Sequence, residues 1–291
     1  MDWVTKEYSS FYKDGSAGVE WYNKAVLKRR ELYPNWQDLQ TSESNSIAEQ
    51  VNDKGYCIIK DFWDLSVLDK LKKETYRLIN SNNSELLQVT AGGRHTQIYM
   101  PTRNVPIVND LALDSRIISI AVSYLNCIPG IGTTNLRLSR ANNLEPAGTN
   151  MYHRDFNSIK FIKFFTYLND VSIDGGPFTY VEGSNSKLPQ NWQFCHRWSD
   201  TQIEKLYGQD SVKPLTANYG DLIACTTNGF HKGALLEKGE RLMLTLNYAT
   251  HVELGDPGIY GVPNPRHQIL KETYESTKDD KKALYDFMEV V

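Results

Sequence analysis

Three side chains in the second half of the chain are placed to hold a metal ion. In Met151-Tyr-His-Arg-Asp-Phe156, His153 and Asp155 stand two residues apart, so on an extended segment both side chains leave from the same side and can converge on one ion. By itself the pair says little. A chain with six histidines often holds a chance His-x-Asp, and a surface hydrogen bond would use it equally well. His231, in Asn228-Gly-Phe-His-Lys-Gly233, follows an apolar segment at 221–226 that reads as a strand. Two imidazoles and one carboxylate on one face of a metal form the ligand set of non-haem Fe(II) oxygenases, which leaves three positions for co-substrate and O2. The same ligands around a bound water would suit a zinc-type hydrolase.

Arg241 stands where the next strand is expected to begin. A guanidinium is always charged, so placing one inside a fold is costly unless an anion meets it, and a dicarboxylate co-substrate would supply that anion. The plainer use is an edge arginine paired with Glu237 or Glu240.

These residues need a scaffold, and the chain changes character before it reaches them. The first half reads as mainly helical. Helices are expected at 19–33, ending at Pro34-Asn35, at 46–53, stopped by Gly55, at 67–79, capped by Ser66, and at 111–125, with a short strand at 56–59. After Pro129-Gly130 come short apolar stretches separated by Gly, Pro, Asn and Asp, which predict strands at 133–140, 161–168, 178–181, 221–226 and 241–249. In the last of these Leu242, Leu244 and Leu246 share one face and Met243, Thr245 and Asn247 the other, so at least one face meets a core. The expected architecture is mainly β with flanking helices, built on an antiparallel sandwich or jelly roll. Residues 1–40 read as a helical extension, 41–291 as one domain with its core near 130–250, and 265–291 as a peripheral helix.

Composition narrows the partners. A net charge of -3 with pI near 6.1 argues against a phosphate-backbone binder, so nucleic acid is not an expected partner. No apolar run is long enough to span a bilayer. The four cysteines form no CxxC pair, which predicts buried free thiols. The N-terminal residues do not read as a signal peptide, and a cytoplasmic protein is expected.

The segments His153-Arg-Asp155, Lys163-Phe-Phe-Thr-Tyr-Leu-Asn-Asp-Val171, Gly175-Gly-Pro-Phe178, Val181-Glu-Gly-Ser184, Gly220-Asp-Leu222, Gly229-Phe-His-Lys-Gly233 and Gly239-Glu-Arg241 together resemble, in order and spacing, the phytanoyl-CoA dioxygenase family. The resemblance covers about residues 55–250. It implies a double-stranded β-helix, with His153, Asp155 and His231 as the ligands of Fe(II) and Arg241 on the distal carboxylate of 2-oxoglutarate. It also implies a hydroxylase that consumes O2 and 2-oxoglutarate and releases succinate and CO2. Because Asp155 stands where related halogenases have a small residue, hydroxylation is favoured over halogenation. Some members carry Gln between the first two ligands and Ser two residues beyond the distal histidine, where this chain has Arg154 and Gly233, so the co-substrate contacts differ in detail. Asn135, Arg137, Lys163 and Thr166 could add contacts. Strand parity is not fixed by the sequence, and Lys163 and Thr166 are carried forward beside Arg241 as cofactor-binding candidates.

The substrate is expected to be a small, polar organic molecule. Gly92-Gly-Arg-His-Thr-Gln-Ile-Tyr99 and Arg103 lie where family members build the substrate mouth, and Trp192, Phe194, His196, Arg197 and Trp198 form an aromatic and basic cluster suited to a lid. No phosphate-binding signature supports a CoA thioester. A jelly-roll binding module that retains the His and Asp residues as remnants is the competing, non-catalytic reading.

Overall fold

The computed structural model describes residues 16–90, 94–142, 145–155, 158, 160–187, 197–251 and 267–291. Of the expected features, Gly92-Gly93, Cys195 and the lid candidates Trp192, Phe194 and His196 lie outside them.

Helix α1 (Ser16–Leu32) is followed by α2 (Ser42–Lys54) and α3 (Leu65–Asn80). Local chemistry sets the ends of α2: Thr41 and Ser44 form a reciprocal capping box, and Gly55 closes the helix in the left-handed region at φ 94°. Asp64, rather than Ser66, caps α3 by accepting from the Ser66 amide at 2.8 Å. The single helix expected at 111–125 is broken into α5 (Ile107–Ala112) and α6 (Ser115–Leu125), after the short α4 (Pro101–Asn104). The reason is Asp114, whose carboxylate accepts from the Arg116 amide at 2.9 Å and so starts a new helix.

The strands are β1 (Tyr56–Ile59), β2 (Leu87–Thr90), β3 (His95–Ile98), β4 (Gly130–Arg140), β5 (Phe161–Tyr167), β6 (Phe178–Val181), β7 (Val212–Leu215), β8 (Leu222–Cys225), β9 (His231–Gly233), β10 (Glu240–Ala249), β11 (Gln268–Ile269) and β12 (Glu289–Val290). They form an antiparallel seven-stranded sheet in the order β1-β8-β5-β10-β4-β3-β2 and an antiparallel three-stranded sheet β7-β6-β9. Helix α7 (Asp200–Tyr207) lies between β6 and β7 in the chain.

The pleat sorts the large sheet into two faces. Leu136 and Leu138 of β4, Leu242, Leu244 and Leu246 of β10 and Phe164 of β5 join a core shared with α2, α3 and α6. Leu68, Leu71, Ile117 and Val122 are among the fully buried helical partners. The opposite face carries Arg137, Met243, Phe165 and their register neighbours toward the small sheet, and Phe165 meets Phe178 of β6 with ring centroids 4.7 Å apart. Helices thus cover one face of the large sheet and the small sheet covers the other.

Helix and strand contents are comparable, so the architecture is mixed α/β with an antiparallel core rather than mainly β. The helices of the first half pack onto the sheet: Val26 of α1 enters the main core, and Arg29 donates to the carbonyls of Ile128, Pro129 and Ala283. The C-terminal stretch also departs from expectation. Instead of one helix it forms the short helices α8 (Lys271–Ser276) and α9 (Asp279–Lys282), while β11 and β12 pair in parallel and Leu284, Tyr285 and Met288 are buried in the core. Cys57, Cys127 and Cys225 are buried free thiols, as expected. Among the described residues no helix is long and apolar enough to cross a membrane.

Candidate metal centre and co-substrate pocket

His153 and His231, 78 positions apart in the sequence, are brought face to face by a single antiparallel bridge, with each backbone amide donating to the other's carbonyl at 2.9 Å. Asp155 is tied alongside, its amide donating to the Thr227 carbonyl at 2.8 Å. The His-x-Asp spacing then acts as the sequence predicts. One ligand atom from each of His153, Asp155 and His231 lies within 4.8 Å of the others, close enough to meet on a single ion.

The imidazoles are oriented by the backbone. Nδ1 of His153 is 2.9 Å from the Met151 carbonyl, and Nδ1 of His231 is 2.9 Å from the Gly229 carbonyl. A carbonyl only accepts, so both Nδ1 atoms carry the proton and both Nε2 lone pairs face inward, toward Asp155 at 3.7 and 3.5 Å. Gly229 is needed at its place: a Cβ there would lie 1.9 Å from the Tyr180 hydroxyl oxygen. Burial, and then His231, push His153 down to about 3, which keeps it neutral and ready to donate a lone pair. Burial opposes charge on Asp155, but Lys163, His231 and His153 outweigh it and hold the carboxyl well below the usual range.

A cavity of about 200 Å³ opens beside this cluster between the two sheets. Arg241 lines it. Its side chain is 4% exposed, its Nε and Nη1 find no hydrogen-bond partner among the described residues, and burial lowers its pKa. Glu240 is not its partner, for it turns outward to Arg140 at 3.6 Å. The glycine at 233 leaves the guanidinium uncovered, since a Cβ there would lie 3.3 Å from Nη2. Three inward ligands and an unpaired buried guanidinium across one small cavity suit a divalent ion chelated by a molecule with a distal carboxylate.

Strand parity separates the remaining candidates. Lys163 lines the cavity, but its ammonium is 2.6 Å from Asp155, so its contact is with the ligand carboxylate. Thr166, paired with Leu244, points out of the other face and accepts from the Trp63 indole at 2.8 Å; it is corrected to a packing residue remote from the cavity. Asn135 and Arg137 face inward. His95 also lines the cavity, whereas Arg94 is spent on Asn150, Asn142 and the Glu145 carbonyl, and Arg103 on Gln268. The carbonyls that orient the histidines were not anticipated.

Residues 51–234 match the sequence profile of the family described as phytanoyl-CoA dioxygenase (PhyH). No curated protein matches the chain in sequence. Among solved structures it is similar to the epimerase SnoN in complex with Fe3+, alpha ketoglutarate and nogalamycin RO, with a TM-score of 0.59 and 17% identity over 82% of this chain and 97% of that one. EctD from S. alaskensis with 2-oxoglutarate and 5-hydroxyectoine gives 0.55 and 15% over 87% and 88%. HygX from Streptomyces hygroscopicus with nickel and 2-oxoglutarate gives 0.51 and 17% over 72% and 87%. At such identities these likenesses establish a shared fold.

Proposed function

The chain belongs to the phytanoyl-CoA dioxygenase (PhyH) family, and on that basis we propose that His153, Asp155 and His231 hold one Fe(II), that Arg241 binds the distal carboxylate of 2-oxoglutarate, and that the protein hydroxylates a small polar molecule with release of succinate and CO2. The two facing sheets are then the two layers of a double-stranded β-helix, with residues 1–40 as an extension of a single oxygenase domain. The observation that carries the reading is the pairing of a converged His-Asp-His cluster with a buried Arg241 that has two unsatisfied N–H groups in the same cavity. A hydrolase using the same ligands would leave Arg241 without a use.

Iron and 2-oxoglutarate, when bound, supply the activation of O2 and the oxidation of the substrate. The chain's own residues prepare that chemistry. The carbonyls of Met151 and Gly229 fix the histidine tautomers. Asp155, held ionised, supplies the negative ligand and occupies the place that a halide would need. Lys163 steers the Asp155 carboxylate, and Phe178, with its ring 5.3 Å from that of His231, walls the centre from water.

The anaerobically prepared chain with one equivalent of Fe(II) should convert 2-oxoglutarate to succinate when O2 is admitted, and His231→Ala should not. Equal succinate release by wild type and variant would contradict the reading.

A further inference from the structure

Pairing the cavity's charged groups leaves one cation over. Among its described lining residues are three fixed cations, Arg137, Lys163 and Arg241, and one carboxylate, Asp155. Lys163 is paired with Asp155 at 2.6 Å. Arg241 is matched by the distal carboxylate of the co-substrate, whose other carboxylate belongs to the metal. Among the described residues Arg137 has no anion. Its Nε is buried without a partner, and Nη2 makes only a 3.3 Å bond to Gln97 Oε1, an amide oxygen already shared with Asn135 at 3.2 Å. A half-buried guanidinium whose Nε is enclosed without a partner, held by one long bond to a neutral group, is a costly arrangement that a ligand would relieve.

Its place is as informative as its charge. On β4, Arg137 is opposite Met243, one inward-facing pair along from the Arg241–Ser139 pair. On the other side of β10, Asn247 is opposite Lys163, whose ammonium reaches Asp155. Arg137 therefore lies between the level of Arg241 and the level of the metal ligands, one strand to the side. Two neighbours share its unsatisfied state: the Nε2 of His95, a buried neutral imidazole on β3, and the Oδ1 of Asn135, two residues along β4, have no partner among the described residues.

We propose that Arg137, assisted by His95 and Asn135, is the binding residue for a carboxylate on the primary substrate, which is a small organic acid. This rests on the Fe(II) and 2-oxoglutarate reading above. A planar carboxylate takes two parallel bonds from the edge of a guanidinium, and it lowers the net positive charge that Arg137, Lys163 and Arg241 leave in the cavity after Asp155, Fe(II) and the 2-oxoglutarate dianion are counted. Asn135 Oδ1 can accept from a hydroxyl or amino group next to that carboxylate.

The test starts from the wild-type chain with Fe(II) and 2-oxoglutarate under anaerobic conditions, with the visible metal-to-ligand charge-transfer band in place. Aliphatic monocarboxylates, amino acids and hydroxy acids, each paired with its primary amide, are titrated while the melting temperature and the band are followed. Acids should stabilise the complex saturably without bleaching the band, and their amides should not. Arg137→Gln should keep the band and weaken the active acids about 10- to 100-fold, with Arg137→Lys falling between. No stabilising acid, amides as effective as acids, or unchanged acid binding in Arg137→Gln would overturn the proposal. Loss of the band in Arg137→Gln and Arg137→Lys would assign the residue to the co-substrate and overturn it too. A wild-type chain without the band would fail one level earlier, on iron and 2-oxoglutarate, and the proposal would fall with that reading.

Discussion

Replacing Arg241 with Met should move the affinity for 2-oxoglutarate and the stability of the ligand-free protein in opposite directions. The guanidinium is 4% exposed and two of its nitrogens lack partners. A buried N–H left unsatisfied costs about 1–3 kcal/mol, so a thioether of similar length should raise the stability of the ligand-free chain by an amount of that order. With 2-oxoglutarate bound, the same change leaves a carboxylate without its partner inside the cavity. Breaking one side of a buried ion pair costs about 3–5 kcal/mol, or roughly 10²- to 4 × 10³-fold in Kd. Calorimetric titration of 2-oxoglutarate into the Fe(II)-loaded chain, beside urea denaturation of the ligand-free protein, reads both quantities. A Kd within threefold of wild type, or a ligand-free variant weaker than wild type by several kcal/mol, would show that Arg241 is a structural residue and refute the reasoning.

Thr166→Val should lower stability by about 1–3 kcal/mol by stranding the Trp63 indole N–H, yet leave 2-oxoglutarate affinity unchanged, because Thr166 faces away from the cavity; a matching loss of affinity would restore it to the site. Burial, and then Arg137, Arg241 and Arg94, push His95 from its ordinary 6.5 down to about 4, so the unfolded chain takes up a proton there that the folded chain does not. Its contribution is full above pH 6.5 and is lost as pH falls toward 4, with a slope of up to about 1.4 kcal/mol per pH unit; urea midpoints of His95→Gln should show a flatter decline over that window, and an identical decline would count against it. Gly229→Ala should weaken metal binding about 10- to 100-fold, since relief of the clash with Tyr180 must move the carbonyl that orients His231; metal content unchanged after dialysis would argue otherwise.

The metal cluster was readable because it depends on spacings short enough to survive ignorance of the fold. A two-residue step puts His153 and Asp155 on one side of any extended segment, and the apolar run before His231 places it at a strand end. The apolar face of β10 was equally plain, since Leu242, Leu244 and Leu246 alternate cleanly. Which face of the sheet looked into the cavity was not. A one-residue change of register exchanges Phe165 and Thr166, and β5 is apolar on both faces because the helices cover one and the small sheet the other. Thr166 was misplaced for that reason, and Arg137 could not be singled out. The weight of helix was also underestimated: the pattern at 111–125 hid the cap at Asp114, and the charged run near 280 obscured the apolar residues after it, Leu284, Tyr285 and Met288, which bury into the core.

The central claim is that one Fe(II) and one 2-oxoglutarate meet at His153, Asp155 and His231. Anaerobic addition of both to the wild-type chain should give the charge-transfer band with saturation at one Fe(II) per chain, and His153→Ala or His231→Ala should abolish it. No band in the wild type, or an undiminished band in either variant, would contradict the account.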